Sequence, residues 1–167
     1  MHRCFTPFLF LSETKNSYSF LQDFQFEFGY NKLFTVEPEG RSGGLALFYL
    51  DSLDVTILYS NNRMIDIEAT IAGHKVYITF VYGDPVINYR ENVWERLTRM
   101  SLTRSGAWLM VGDFNEITSN LEKKGGRKRS DASFLPFRNM LANCGMIEFP
   151  YSGNPLSWVG NRSNGKV

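Results

Sequence analysis

Apolar positions along this chain recur with two different periods, and the switches between them divide it into strands and helices. Short apolar runs at Phe8–Leu11, Leu33–Val36, Leu45–Leu50, Leu53–Tyr59 and Ala107–Val111 predict strands. Met64–Ile71 alternates, with Ile65, Ile67, Ala69 and Ile71 on one face and Asp66, Glu68 and Thr70 on the other. Ala72-Gly73-His74 then predicts a turn into Val76–Tyr82, an antiparallel hairpin that Gly83-Asp84-Pro85 ends. Helical spacing marks three segments. Phe20, Phe24 and Phe28 form a stripe over Tyr18–Phe28, stopped by Gly29. Val93, Trp94, Leu97 and Met100 form the second, opened by Asn88 with Glu91 and ending near Gly106. Phe134, Phe137, Leu141 and Cys144 form the third, over Ser133–Cys144, with Pro136 tolerated in its first turn and Gly145 at its end.

Many antiparallel strands with interspersed helices predict an α/β sandwich, two sheets packed together with helices outside. The 167 residues, 43% of them hydrophobic, suffice for one domain with a real core. A net charge of +1 excludes bulk attraction to nucleic acid, so any such binding needs a local patch. Cys4 and Cys144 sit in no metal spacing and read as thiols of a reducing, intracellular compartment. Met1–Leu11 imitates a signal peptide, but its apolar run is short, rich in β-formers and followed by Ser-Glu-Thr-Lys, which predicts a core strand. No stretch is apolar enough to span a membrane, so no membrane partner is expected. The strand opening near residue 1 and the polar tail Asn161–Val167 predict a chain cut at both ends.

Candidate chemistry gathers where strands end. The run Ala107–Val111 reads as a short buried strand that stops on Gly112-Asp113-Phe114-Asn115. Residues i and i+2 of an extended segment point the same way, so Asp113 and Asn115 can share a site, although both types also end strands because they suit turns. Glu13 follows Phe8–Leu11 and Tyr82 ends Val76–Val81; each has an equally plain reading as a turn residue or a rim aromatic. Lys123, Lys124, Arg127, Lys128 and Arg129 form a basic cluster, either a grip on a nucleic-acid backbone or a solvated loop.

Taken in order, several motifs resemble one family. They are Phe10-Leu11-Ser12-Glu13-Thr14-Lys15, Gly40-Arg41-Ser42-Gly43-Gly44-Leu45-Ala46-Leu47 and Val81-Tyr82-Gly83. Gly112-Asp113-Phe114-Asn115-Glu116-Ile117, Glu122-Lys123-Lys124-Gly125-Gly126, Cys144-Gly145-Met146-Ile147 and Gly153-Asn154-Pro155-Leu156-Ser157-Trp158 complete the set. The chain resembles the endonuclease/exonuclease/phosphatase superfamily with its DNase I-like fold, and within it the endonuclease domain of plant LINE-type non-LTR retrotransposons. That resemblance implies a four-layer α/β/β/α sandwich, here incomplete, forming a single partial domain. It further implies Mg²⁺-dependent phosphodiester hydrolysis, DNA as the ancestral partner, fusion to a reverse transcriptase, and a nuclear setting. Residue by residue, Glu13 resembles the metal-holding glutamate and Asp113 the aspartate that orients or deprotonates water. Asn115 resembles the phosphate-binding amide and Tyr82 the phenol that stabilises developing charge. Ser157 and Trp158 resemble the pair lining the substrate cleft, with Leu-Ser-Trp standing where Phe-Thr-Trp is usual.

The departures matter as much. The family's first-strand asparagine and its closing Ser-Asp-His have no counterpart here, and His2 and His74 lie in no Asp-His context. Losing one member of a cooperating catalytic set costs roughly 10⁴–10⁶-fold in rate. The expectation is therefore a truncated and catalytically inert relic. The alternatives are a working hydrolase completed by a partner or extension, and a non-catalytic nucleic-acid-binding module using the basic loop.

Overall fold

The computed structural model describes residues 6–40, 42–150, 152–154 and 156. Among these the strands are β1 (Phe8–Ser12), β2 (Lys32–Val36), β3 (Leu45–Tyr49), β4 (Asp54–Asn61), β5 (Met64–Ile71), β6 (His74–Tyr82) and β7 (Ala107–Asp113). Helix α1 (Tyr18–Glu27) lies between β1 and β2, α2 (Arg90–Ser101) between β6 and β7, and α3 (Leu135–Asn143) follows β7. The chain divides into two compact units, Met1–Asp84 with Arg104–Phe114, and Pro85–Thr103 with Asn115–Val167.

The first unit holds both sheets. One has the order β1-β3-β2, all antiparallel; the other is β4-β5-β6-β7, antiparallel except for the parallel β6–β7 pair. They pack through Leu45 and Leu47 of β3, Ile65, Ile67 and Ala69 of β5, and Ile78, Phe80 and Tyr82 of β6. Phe10 meets Phe80 at 5.3 Å between ring centroids. β3 is central, so its other face is buried too: Ala46 and Phe48 cluster with Leu21 and Tyr30. That double burial explains its unbroken apolar run. Ala72 and Gly73, both at positive φ (51° and 81°), form the tight link between β5 and β6, as a two-residue hairpin loop requires.

The structure departs from the simple apolar pattern at three places. The face of α1 that is buried carries Leu21 and Gln25, whereas Phe20 and Phe28 are 47% and 40% exposed. The phenylalanine rings instead line up along the helix, Phe20 tilted against Phe24 and Phe24 stacked on Phe28, while Phe28 meets Phe48 edge-on. Asp66, on the polar face of the β5 alternation, is buried and accepts from Thr79 Oγ1 (2.6 Å) and Arg104 Nη2 (2.5 Å), with Trp108 Nε1 donating to Thr79. A buried carboxylate of this kind survives because its charge is paired and hydrogen-bonded. Finally, β7 is not a buried strand. It lies at the sheet edge and runs on to Asp113, with Leu109 and Val111 exposed although they flank the core residues Ile78 and Phe80.

In the second unit α2 and α3 bury Val93, Trp94, Leu97, Phe134, Phe137 and Met140, with Trp94 and Phe137 rings 4.8 Å apart. α2 stops at Ser101, short of Gly106, and its last turn tightens into i→i−3 bonds, Leu102 N–H to the Arg99 carbonyl and Thr103 N–H to the Met100 carbonyl. Cys144 is a free, half-buried thiol whose pKa burial raises, and Cys4 falls outside the described residues. No described helix is long and apolar enough to cross a membrane.

Candidate functional site

Parallel pairing of β6 with β7 fixes the first element of the site. Its register sets Tyr82 opposite Asp113, the last residues of their strands, so both side chains leave the same face of the sheet at the same end. Gly83 donates its N–H to the Asp113 carbonyl at 2.7 Å, carrying the pairing one step further. Two close backbone approaches make this possible. A Cβ at Gly112 would lie 2.0 Å from the Val81 oxygen, and one at Gly83 would lie 1.9 Å from the Phe114 oxygen. Gly112 also holds φ at +140°, a conformation that only glycine adopts without strain.

The first sheet delivers Glu13. β1 pairs with β3 through Ser12↔Leu45, and Thr14 and Lys15 then donate to the Gly44 and Gly43 carbonyls. Glu13 itself sits at φ +54°, a left-handed conformation that a glutamate rarely adopts. Such a conformation persists where surroundings over-determine it, and these clusters concentrate at functional sites. The Thr14 and Lys15 backbone bonds hold this turn, and Tyr82 Oη donates to Glu13 Oε1 at 2.6 Å, joining residues from both sheets. Lys15 Nζ lies 3.6 Å from the other carboxylate oxygen, Oε2.

Electrostatics follow from that contact. The phenol's hydrogen bond, helped by Lys15 and Arg63, outweighs burial and holds the Glu13 carboxyl below the usual range. Burial, then the Glu13 hydrogen bond and charge, push Tyr82 up to about 12. Tyr82 is thus protonated at neutral pH and acts as a donor, while Glu13 is an anion about half exposed. Asp113 is near enough to contribute to the rise at Tyr82.

Arg63 and Asp84, neither a site candidate in the sequence, support this corner. The Arg63 guanidinium lies over the Tyr82 ring, 5.4 Å from its centroid, and pairs with Asp84 at 2.8 Å. Asp84 had only a turn-former's signature beside Pro85, and Arg63 sits in a link between β4 and β5 with no pattern of its own. The contact needs the fold to be visible.

Asn115 begins the second unit at φ +52°, which asparagine tolerates well. After it, Glu116 is a nearly buried carboxylate that Arg90 and Arg129 hold from two sides (2.9 and 2.5 Å). The five cations of the following loop are not equivalent. Lys124, Arg127 and Lys128 are exposed, and Lys123 Nζ donates to the Arg127 carbonyl. Arg129, expected among the backbone-gripping cations, is committed to Glu116 and Ser133 and lies over the Phe134 ring at 4.7 Å. Ser157 and Trp158 lie outside the described residues. His74 opens β6, at the opposite end of that strand from Tyr82 and about 26 Å along it.

A divalent cation can be tested against these donors. Glu13 and Asp113 offer hard carboxylate oxygens, which suit magnesium. Among the described residues no group of three or more His, Cys, Asp or Glu side chains converges. A site with one or two carboxylates fits an ion that keeps most of its waters.

The chain belongs to the Endonuclease/Exonuclease/phosphatase family, whose profile it matches over residues 7–165. Members of that family typically depend on a divalent metal. Among solved structures it is similar to an AP endonuclease from Archaeoglobus fulgidus, at 19% identity and a TM-score of 0.61 over 81% of this chain and 60% of that one. The 3′ phosphatase NExo from Neisseria, bound to a product DNA hairpin, gives 20% identity and 0.55 over 82% of this chain and 60% of that one. The endonuclease domain of TRAS1, a telomere-specific non-LTR retrotransposon, gives 18% and 0.50 over 68% of this chain and 52% of that one. These likenesses establish a DNase I-like fold, and the chain spans about 60% of the first protein's length. No curated protein matches the chain.

Proposed function

We propose that this chain carries the carboxylate-bearing part of a Mg²⁺-dependent phosphodiester hydrolase site acting on DNA, of the kind found in non-LTR retrotransposon endonucleases. The observation that carries the reading is the meeting of strand ends: Tyr82 bonds Glu13 from the opposite sheet and lies in register with Asp113. Glu13, with Asp113, would hold the cation, which when bound neutralises phosphate charge and acidifies water. The remaining work falls to the side chains. Asp113 accepts the proton of the attacking water. Asn115 offers its amide N–H to a phosphate oxygen, and Tyr82, protonated up to about pH 12, donates to developing negative charge. In the second unit, exposed Lys124, Arg127 and Lys128 offer cations to a polyanion such as a nucleic-acid backbone.

In the same proposal the chain by itself binds cation and DNA but does not turn over. Among the described residues the one histidine, His74, lies at the far end of β6 from Tyr82, so none of them supplies the family's histidine contact to the scissile phosphate. Two assays on the purified chain test the two halves. Mn²⁺, used as a paramagnetic stand-in, is expected to bind and to be lost in Glu13→Gln; no binding by the wild type sinks the site. Supercoiled plasmid with Mg²⁺ is expected to stay intact. Nicking that Asp113→Ala abolishes would overturn inertness and leave a working nuclease.

A further inference from the structure

Among the described residues of the second unit, Glu116 is a carboxylate held by four hydrogen bonds, and nothing in the proposed chemistry uses it. Its oxygens accept from Arg90 Nη1 (2.9 Å), Arg129 Nη1 (2.5 Å), Arg129 Nη2 (3.1 Å) and the Ile117 N–H (2.9 Å). The side chain is 6% exposed, so these are charge-assisted bonds in a poorly solvated place. Burial pushes its pKa up, but Arg129, the Ile117 N–H and Arg90 outweigh that and the net shift is downward.

What this carboxylate ties together is specific. On its N-terminal side is Asn115, held at φ +52°. Through Arg129 it reaches the far end of the basic loop, whose base is closed independently. Asn120 donates to the Arg129 carbonyl at 2.8 Å and accepts from the Arg129 N–H at 3.0 Å. Arg138 of α3 donates to the Thr118 carbonyl at 2.7 Å, holding the near end. Lys123 reaches across the loop to the Arg127 carbonyl. An unpatterned stretch from Glu116 to Arg129 is therefore built as a fixed object, with Lys124, Arg127 and Lys128 on its outside.

We propose that Glu116 is a positioning residue: clamped between Arg90 and Arg129, it locks the Asn115 backbone and presents the Lys124–Lys128 loop as a preformed contact for a nucleic-acid phosphate backbone. This rests on the reading of the loop as a DNA contact. Preorganisation matters because a loop ordered before binding does not lose that conformational freedom on contact. The clamp also explains why Arg129 differs from its neighbours: it serves the loop's shape, and the other three meet the ligand.

The test uses the whole chain and a fluorescein-labelled duplex of arbitrary sequence, read by anisotropy across a salt series. Replacing Lys124, Arg127 and Lys128 together by Ala is expected to weaken binding and flatten the salt dependence by about three phosphate contacts' worth, roughly 2.7 in log–log slope. Glu116→Gln is expected to weaken binding about tenfold although no loop cation is changed. Limited trypsin digestion supplies a readout that lost stability alone does not move. Cleavage at Lys124, Arg127 or Lys128 should rise about tenfold in Glu116→Gln while the remaining sites stay protected. If Glu116→Gln does not fold, Arg129→Lys, which keeps the charge but loses the two-pronged contact, is expected to give the same pattern. Weakening by the triple variant without any effect of the clamp variants overturns the positioning role and leaves the DNA reading intact. No effect of the triple variant overturns both.

Discussion

Two regions of this molecule hold their candidate residues by different physics. At the strand-end rim, Tyr82 and Asp113 are set by sheet register, and Glu13 is set by β1–β3 pairing and one short hydrogen bond. From Asn115 to Arg129 there is no ladder, and the chain is held by ion pairs and side-chain bonds to backbone. Register is bought with many backbone bonds over a packed core and resists change in any one side chain. The clamp concentrates its strength in one carboxylate. The rim should therefore break through its backbone, and the loop through its charge.

The largest effect expected is at the backbone. Gly112→Ala puts a methyl 2.0 Å from the Val81 oxygen at φ +140°, and neither strand can move without losing register. We expect a loss of about 3 kcal/mol or more, read by urea unfolding. A cost below about 1 kcal/mol would show that register does not depend on this approach.

Next is the pH response of each region. Glu116 has a lowered folded pKa, so its stabilisation is present above its ordinary value of 4.5 and is lost as pH falls through the folded value. Urea unfolding between pH 6 and 3 should show that loss, and Glu116→Gln should flatten it. Tyr82 has the opposite sign. Its folded pKa of about 12 exceeds the ordinary 10, so its contribution is complete below pH 10 and disappears as pH rises through 12. The span corresponds to on the order of 2–3 kcal/mol. Tyr82→Phe should remove that alkaline loss while costing about 1 kcal/mol at neutral pH for the missing bond to Glu13. An alkaline profile unchanged by Tyr82→Phe would remove this phenol as its source. The smallest stability effect is expected from the triple Ala replacement of Lys124, Arg127 and Lys128, within about 0.5 kcal/mol, since these side chains are exposed.

The same contrast governs what was legible in the sequence. β5 is read to the residue, Met64–Ile71, because apolar Ile65, Ile67 and Ala69 on the face toward the other sheet alternate with polar residues and write a period of two into the chain. The Ala72-Gly73 link and the helix stops at Gly29 and Gly145 carry local turn chemistry and are equally readable. Edge position is not local: Ala107–Val111 looks like an interior strand, and only the strand order reveals Leu109 and Val111 as exposed. The α1 phenylalanines mislead for a related reason. Their spacing gives a face, but which face is covered depends on where β3 presents Ala46 and Phe48.

For the site, residue types at strand ends pointed to Glu13, Tyr82 and Asp113, and the order of motifs pointed to the family. The left-handed turn at Glu13, the Arg63–Asp84 support and the Arg90–Glu116–Arg129 clamp had no sequence signal. Each joins residues 21 or more positions apart or a conformation no pattern encodes, except for Glu116 and Arg129, whose shared loop has no period to read.

The proposed divalent-cation site at Glu13 and Asp113 is the point on which the functional reading turns. Mn²⁺ binding to the purified chain, measured by water-proton relaxation for the wild type and for Glu13→Gln, tests it most directly. Binding by the wild type and at least a tenfold loss of affinity in Glu13→Gln, with the fold unchanged, are expected. Equal affinity in the two proteins, or none in either, would contradict it.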